Sequence, residues 1–578
     1  MNKTPNFDSK IKTILDGLKP GERICELTGE KWIMDEEEIG WYKKFSVPPS
    51  TLAPEKRLKM MLGFATGISI WWNKDCITNE PILSFMHPDI PIPCMNDKDW
   101  WASDFSHEQA INPDESFFDQ MRTLIHKTPY CASRDDGSNK NSVAVDMLNT
   151  EDSYMVFGGA ECRRLIYSAL LFDTEDSVDT TNIWLSRNCY QCNRIKRCFE
   201  CKSCIECFDC MTSAFLFDCR NCENCLGGVN LRNRKFVFFG EQLSEEEYKK
   251  RVAQIDLSCA SVFEEYRDRF YKMISKDAVW PEAFWSGAED SQGEYLEKSV
   301  RVKHGYWLMR CADSFWCWVN DDLKNSAFCT WDGWGGNAYN CNGLVYVDNM
   351  KFCDQCWNSS SLEYCYNCHN CEFCFGCVGL QRKKFCLYNK QYTEEEYWAL
   401  LDDVKCKMLD SGEYGQYFPA DLSPMGMQFS IGAEFLGYTE DELERYGALK
   451  LDPKKGNVLA PHKIDQTNAV GIDQIPDCLS EIDPEQLVSK PIYDAQLGRP
   501  YSVLPREFEF YQQKGLPFPR EHFLTRLQKM LRTSNTPLTE SLTCQKCQKE
   551  ITVHKNQMFP ERKVYCRECY LKYLEQNG

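Results

Sequence analysis

The chain is 578 residues long, carries a formal net charge of -19 and contains 34 cysteines. That length exceeds the roughly 250 to 300 residues at which single cores stop growing, so several domains are expected. The acidic balance argues against wholesale binding of a phosphate backbone, and so many cysteines in a large chain with no export signal point to reduced thiols or metal thiolates. No apolar stretch follows Met1-Asn2-Lys3-Thr4, and no later run approaches about 18 apolar residues, which predicts a soluble, cytoplasmic protein without membrane contact.

The pattern divides the chain into five parts. Residues 1–135 read as a degenerate ribbon-like domain, 140–290 and 291–408 as two cysteine-rich β-solenoids with cap helices, 409–478 as a connector, and 479–578 as a zinc-ribbon domain. The expected fold class is mostly β with capping helices, the two tandem small solenoids having about 12 residues per coil and an inward period of three. In the first part, residues 38–48 resemble 507–517, and each stretch precedes a basic helix, at Arg57 and Arg526. Cys25-Glu26-Leu27-Thr28-Gly29 and Cys76-Ile77-Thr78-Asn79 keep one cysteine per knuckle, so a metal is not expected there.

Next comes a three-residue clock. Cysteines 189, 192, 198, 201, 204, 207, 210, 219, 222 and 225 are separated by multiples of three, as are 311, 317, 329, 341, 353, 356, 365, 368, 371, 374, 377 and 386. The same phase between them holds small or apolar residues such as Leu165, Ser168, Leu171, Ser186, Leu323 and Ser326, with Asn320 and Asp332 as exceptions. A strand repeats every two residues and a helix every 3.6, so this period fits neither. It fits two solenoids, at 153–231 and 305–380, whose coils stack about 4.8 Å apart around a narrow lumen. In coil length they resemble the twelve-residue β-helix of beetle antifreeze proteins, without its Thr-x-Thr rows. Asn320 and Asp332 share a column, and the adjoining 331–336 stretch predicts a bulged loop there.

The two solenoids end alike, at an offset of 149 residues: 231–236 leads to Ser244 and Glu247, and 380–385 leads to Thr393 and Glu396. Both pairs read as capping boxes opening helices over the solenoid ends. A further helix is expected near 439–449. At the C-terminus, Cys544-x2-Cys547-x18-Cys566-x2-Cys569 has the spacing of a structural zinc ribbon, with His554 as a surface residue between the knuckles.

Tyr42-Lys43-Lys44 through Val47-Pro48-Pro49, Trp100-Trp101-Ala102-Ser103-Asp104, the cysteine triplets and Val564-Tyr565-Cys566-Arg567-Glu568-Cys569-Tyr570 together carry a resemblance that covers most of the chain. It is to uncharacterised cysteine-rich, zinc-ribbon-containing proteins of candidate-phyla-radiation bacteria. That family typically has complete knuckles near the N-terminus. Here Thr28, Asn79, Ala53 and Lys56 stand at those places, which implies lost ligands. The family implies no established activity.

Do the solenoid thiols bind metal? At the 149-residue offset, Cys204, Cys207, Cys219, Cys222 and Cys225 meet Cys353, Cys356, Cys368, Cys371 and Cys374. Cys198, Cys201 and Cys210 meet Val347, Met350 and Ser359 instead. Packing positions tolerate such exchanges and ligands rarely do, so lumen packing is preferred over metal binding or disulfides, and the ten shared cysteines mark where secondary metal or thiol sites would lie. The expected function is a non-enzymatic structural or interaction scaffold with one zinc and a protein partner, presenting aromatics such as Trp71, Trp72, Trp100, Trp101, Trp331 and Trp334. One alternative is a multi-thiol protein that binds or stores zinc, copper or iron-sulfur clusters. Another is nucleic-acid binding by the ribbon with the basic strips Arg232, Arg234, Lys235 and Arg382, Lys383, Lys384, which the acidic chain disfavours.

Overall fold

The computed structural model describes residues 3–331, 333–455, 469–494 and 499–578. Strand outweighs helix, the long sheets are built from parallel pairs, and no sheet among the described residues closes into a barrel. Two compact units form, each from segments remote in sequence. The first comprises Met1–Ser69, Asn73–Ala132 and Phe284–Asp452, and the second Ile70–Trp72, Ser133–Ala283 and Pro453–Gly578. Each unit thus joins one cysteine-rich stretch to one terminal segment, the N-terminal segment going with the later stretch.

The period of three has a backbone cause. The residue ahead of each inward position is left-handed: φ is 58° at Asn188, 48° at Gln191, 55° at Arg194 and 51° at Arg197, ahead of Cys189, Cys192, Ile195 and Cys198. An inward, an extended and a left-handed residue form a step that turns the chain. Left-handed backbone costs an ordinary residue about 1 to 2 kcal/mol and is best tolerated by Asn and Asp, whose short side chains bond locally. Asp173, Asp176, Asn182, Asp209, Asn221 and Asn224 accordingly recur at this register. Tyr167 and Phe215 adopt it too, so burial overrides local preference.

Four steps make a rung of twelve residues, and rungs pair in parallel at that offset. Thr180 faces Ser168, Ile183 faces Leu171, Leu362 faces Cys374 and Cys374 faces Cys386. The extended residue's N–H reaches the rung ahead, as from Phe199 to Cys210 O at 3.0 Å, and the left-handed residue's reaches the rung behind, as from Glu200 to Arg187 O at 3.1 Å. The inward residue's N–H faces the buried interior. Side chains twelve residues earlier accept it: Cys189 N donates to Ser177 Oγ, Cys198 N to Ser186 Oγ and Cys371 N to Ser359 Oγ, each at 3.0 Å. The same hydroxyls donate two residues back, Ser177 Oγ to Glu175 O at 2.9 Å.

An orphaned buried N–H costs about 1 to 3 kcal/mol, so the lumen needs small side chains that both accept and donate. Cysteine does this more weakly. Cys204 N meets Cys192 Sγ at 3.4 Å, and Cys207 Sγ donates to Ile205 O at 3.3 Å.

Both ladders begin earlier than their cysteines. The first strand of the ladder starts at Val143 in the second unit and at Trp285 in the first, where Met147 and Leu296 join the buried cluster without thiols to mark them. Asn320 lies in a regular rung opposite Leu308 and is 4% exposed. Beside it, where a bulged loop is expected, Asp321 pairs with Gly333 and Thr330 with Asn342, so the register of the described residues stays at twelve. Asp332 itself lies outside the described residues.

Each ladder closes on a short antiparallel strand, Glu241–Gln242 or Lys390–Gln391, and then a helix, Glu245–Val252 or Glu394–Ser411. Thr393 and Glu396 make the full capping box. Ser244 accepts the Glu247 N–H, but the Glu247 carboxylate pairs with Arg251 at 2.8 Å instead of reaching back, so that box is half made. The connector helix spans Glu440–Tyr446, with a box from Thr439 and Glu442.

Candidate metal centre

Strands Asn535–Thr543 and Glu550–Asn556 form a hairpin whose turn is the first knuckle. Cys544 N donates to Lys549 O at 2.8 Å, Gln548 N donates to Cys544 O at 2.9 Å, and Gln548 is left-handed with φ 63°. On the other side, Cys566 is the N-cap of helix Arg567–Asn577, which puts Cys569 at its third position. N-cap and third position share one side of a helix start, so a two-residue gap aims both thiols together. The four sulfurs lie within 4.8 Å of one another.

Cys547 Sγ and Cys566 Sγ are 3.7 Å apart. A tetrahedron with zinc–sulfur bonds of about 2.3 Å has edges of about 3.8 Å, so the donor set fits zinc in chemistry and size. Cys544 and Cys566 are buried, Cys569 is half-buried and Cys547 is exposed. Burial raises the Cys544 thiol, but the backbone N–H groups of Cys566, Cys547 and Lys546 outweigh it and bring it down to about 6. That favours the thiolate at Cys544, the form a metal binds, while burial and the neighbouring thiols push Cys566 up and Cys569 up to about 12. His554 is half-buried, with Nδ1 3.0 Å from Thr536 O.

The same knuckle recurs in the first unit with other side chains. Around Cys25, Cys25 N donates to Glu30 O and Gly29 N to Cys25 O, both at 2.8 Å, and Ala53 caps helix Pro54–Leu62. The ligand places are therefore Cys25, Thr28, Ala53 and Lys56, a single thiol. Around Asp75, Asp75 N donates to Glu80 O at 3.0 Å and Asn79 N to Asp75 O at 2.8 Å, and Asn96 caps helix Asp97–Ala102. Here the places are Asp75, Thr78, Asn96 and Asp99.

The expected register was off by one. Cys76 is exposed beside the ligand place, and Asn79, with φ 61°, matches the turn residue Gln548. Hydrogen bonds hold this second site together: Asp75 Oδ1 accepts from Ile77 N and Thr78 N at 2.9 Å, and Oδ2 accepts from Asn96 N at 2.8 Å and Asn96 Nδ2 at 2.9 Å. Burial opposes ionisation of Asp75, but these donors hold it well below the usual carboxylate range.

No family model and no curated protein matches the chain. The centre therefore rests on its own geometry.

Among the described residues, two groups place three or more ligand atoms within 4.8 Å of one another: the four C-terminal thiols, and Cys259, Asp477 and Cys478. Cys204, Cys207, Cys219, Cys222, Cys225, Cys353, Cys356, Cys368, Cys371 and Cys374 belong to neither. They belong to the two buried clusters of the ladders as free thiols. Cys222 Sγ donates to Arg220 O and Cys371 Sγ to His369 O, both at 3.4 Å. Burial pushes Cys162 up to about 12 and Cys192 and Cys356 well above the ordinary thiol, whereas at Cys207, Cys353 and Cys368 hydrogen bonds from neighbouring thiols outweigh burial and bring the thiol down, at Cys368 to about 6.

One pair departs from the expectation of reduced thiols. Cys259 and Cys478, 219 residues apart, form a disulfide that sequence spacing does not announce.

Two surface expectations also change. Trp71 and Trp100 are fully buried, and Trp100 Nε1 donates to Pro129 O at 2.8 Å, so they serve the core. Four of the six residues in the basic strips are matched by carboxylates: Lys235 pairs with Glu223 at 2.6 Å, Arg232 with Asp218 at 3.1 Å, Lys383 with Asp104 at 2.7 Å, and Lys384 with Glu372. No helix among the described residues is long and apolar enough to cross a membrane.

Proposed function

We propose that the chain is a non-enzymatic interaction scaffold of two short β-solenoids, each joined to ribbon-type modules, with one structural zinc held by Cys544, Cys547, Cys566 and Cys569. The observation that carries this reading is the contrast between knuckles. The same backbone turn and capped helix recur with a hydrogen-bonded Asp75–Asn96 core in one case and four converging thiols in the other. Zinc, when bound, supplies a cross-link between hairpin and helix in a segment with little core of its own. The resemblance to ribbon-containing proteins of candidate-phyla-radiation bacteria belongs to this proposal, with Asp75, Thr78, Asn96 and Asp99 as this chain's departure.

The lumens support a scaffold over a thiol store. Their thiols are engaged with backbone groups at the same register as serine, so a metal would have to break those bonds. Flat rung faces are then the surfaces on offer to a protein partner. Cobalt substitution tests the centre. One equivalent of Co2+ should give a tetrahedral thiolate spectrum that Cys547→Ser and Cys569→Ser each abolish, whereas a spectrum that needs several equivalents would refute the reading.

A further inference from the structure

The ladders are copies at an offset of 149 residues and the terminal segments at 469, so each unit is a control for the other. Lys202 and Lys351 share a register (351 − 202 = 149). Each donates to the carbonyl of an equivalent residue, Lys202 to Lys514 O at 2.6 Å and Lys351 to Phe45 O at 3.4 Å (514 − 45 = 469). In the first unit Lys351 has a carboxylate beside it. Glu363 Oε1 lies 3.0 Å from Lys351 Nζ and 3.0 Å from Lys405 Nζ, and Tyr414 donates to Glu363 Oε2 at 2.8 Å.

In the second unit the register of Glu363 is held by Ala214 (363 − 214 = 149). Lys202 forms no ion pair among the described residues. Where a glutamate would sit there is an open cleft of about 280 Å³, with Lys202 and Ala214 in its lining and Leu226 and Val252 as an apolar wall. Lys514 lines it too, but is paired with Glu200 at 3.2 Å, so the cleft keeps one cation in surplus. Burial, reinforced by Lys514, brings Lys202 down to about 8. Glu200 also lines the cleft and partly offsets this, but it is already paired with Lys514, and a desolvated ammonium that shares its one nearby carboxylate with a second lysine is the arrangement a small anion relieves.

We propose that this cleft binds a short-chain monocarboxylate whose carboxylate takes the place that Glu363 occupies in the first unit, with its aliphatic tail on Leu226 and Val252. The side chain of Glu363 is itself a tethered propionate, which sets the ligand's scale. Neither the zinc site nor the scaffold reading is needed for this.

Butyrate is the probe, titrated into the full-length protein at neutral pH and read by thermal melts and calorimetry, with butyramide as the uncharged control. Butyrate should raise Tm saturably and butyramide should not. Ala214→Glu, which supplies a tethered carboxylate, should raise Tm without ligand and remove the butyrate response. Lys202→Met should weaken binding roughly tenfold or more, as loss of a charge-assisted bond does. The proposal is overturned by any of three results: no saturable response in the parent protein, an equal response to butyramide, or undiminished butyrate binding by Ala214→Glu. Should Lys202→Met fail to fold, Ala214→Glu and butyramide still decide it.

Discussion

Arg57 and Arg526 occupy equivalent places (526 − 57 = 469) in buried clusters of different charge. Tyr42 donates to Glu38 and Tyr511 to Glu507, both at 2.6 Å. Arg57 lies 3.7 Å from the Phe328 ring centroid, whereas Arg526 is 3.3 Å from Glu507 and 3.2 Å from Asp179, which has the register of Phe328 (328 − 179 = 149). The second unit therefore buries two carboxylates on one guanidinium. Burial, opposed by Arg526 and reinforced by Glu507 and Glu521, raises Asp179 to about 7. Because the folded pKa is raised, the native state holds a proton that the unfolded state has lost between about pH 4 and 7, and stability falls as pH rises through that window.

Asp179→Asn should therefore stabilise the protein by about 1 to 3 kcal/mol at pH 8 and leave it nearly unchanged at pH 4. Thermal melts at the two pH values check this, and an equal effect at both would count against a buried proton. Caps give a second residue-scale expectation. Thr393→Ala should cost about 1 kcal/mol in urea unfolding, and more than Ser244→Ala, because only Thr393 is in a reciprocal box.

At the scale of the ladder, the decisive demand is the inward N–H. Ser186 Oγ accepts from Cys198 N at 3.0 Å and donates to Trp184 O at 2.8 Å. Ser186→Cys should stay within about 1 kcal/mol of the parent, and Ser186→Ala should lose about 1 to 3 kcal/mol by stranding a buried N–H. Chemical denaturation ranks the variants; an alanine as stable as cysteine would mean that size alone selects the lumen residues.

The cysteine clock by itself carries the rung length of twelve. The starts were not readable, because the rungs around Met147 and Leu296 use apolar side chains. The left-handed register was written in Asn and Asp one place ahead of the inward residue. That second signal, visible at Asn188, Asp209, Asn221 and Asn224, explains why the chain turns every three residues.

For the whole molecule, duplication is the organising fact, and it was only partly legible. The likeness of 38–48 to 507–517 pointed to related termini, but attention to thiols put the second knuckle at Cys76 when the backbone places it at Asp75. Hydrogen bonds define that register, and side-chain identity had hidden it. The pairing of the N-terminal segment with the later ladder follows from long-range packing that no local pattern records.

The four-cysteine spacing was fully legible because its geometry is local to two knuckles. The measurement that tests the account most directly is elemental analysis of anaerobically purified full-length protein beside Cys544→Ser and Cys566→Ser. The account predicts one zinc per chain in the parent, none in either variant, and no copper or iron in any. Several metals per chain, or zinc retained when a ribbon thiol is removed, would contradict it by placing metal in the lumens.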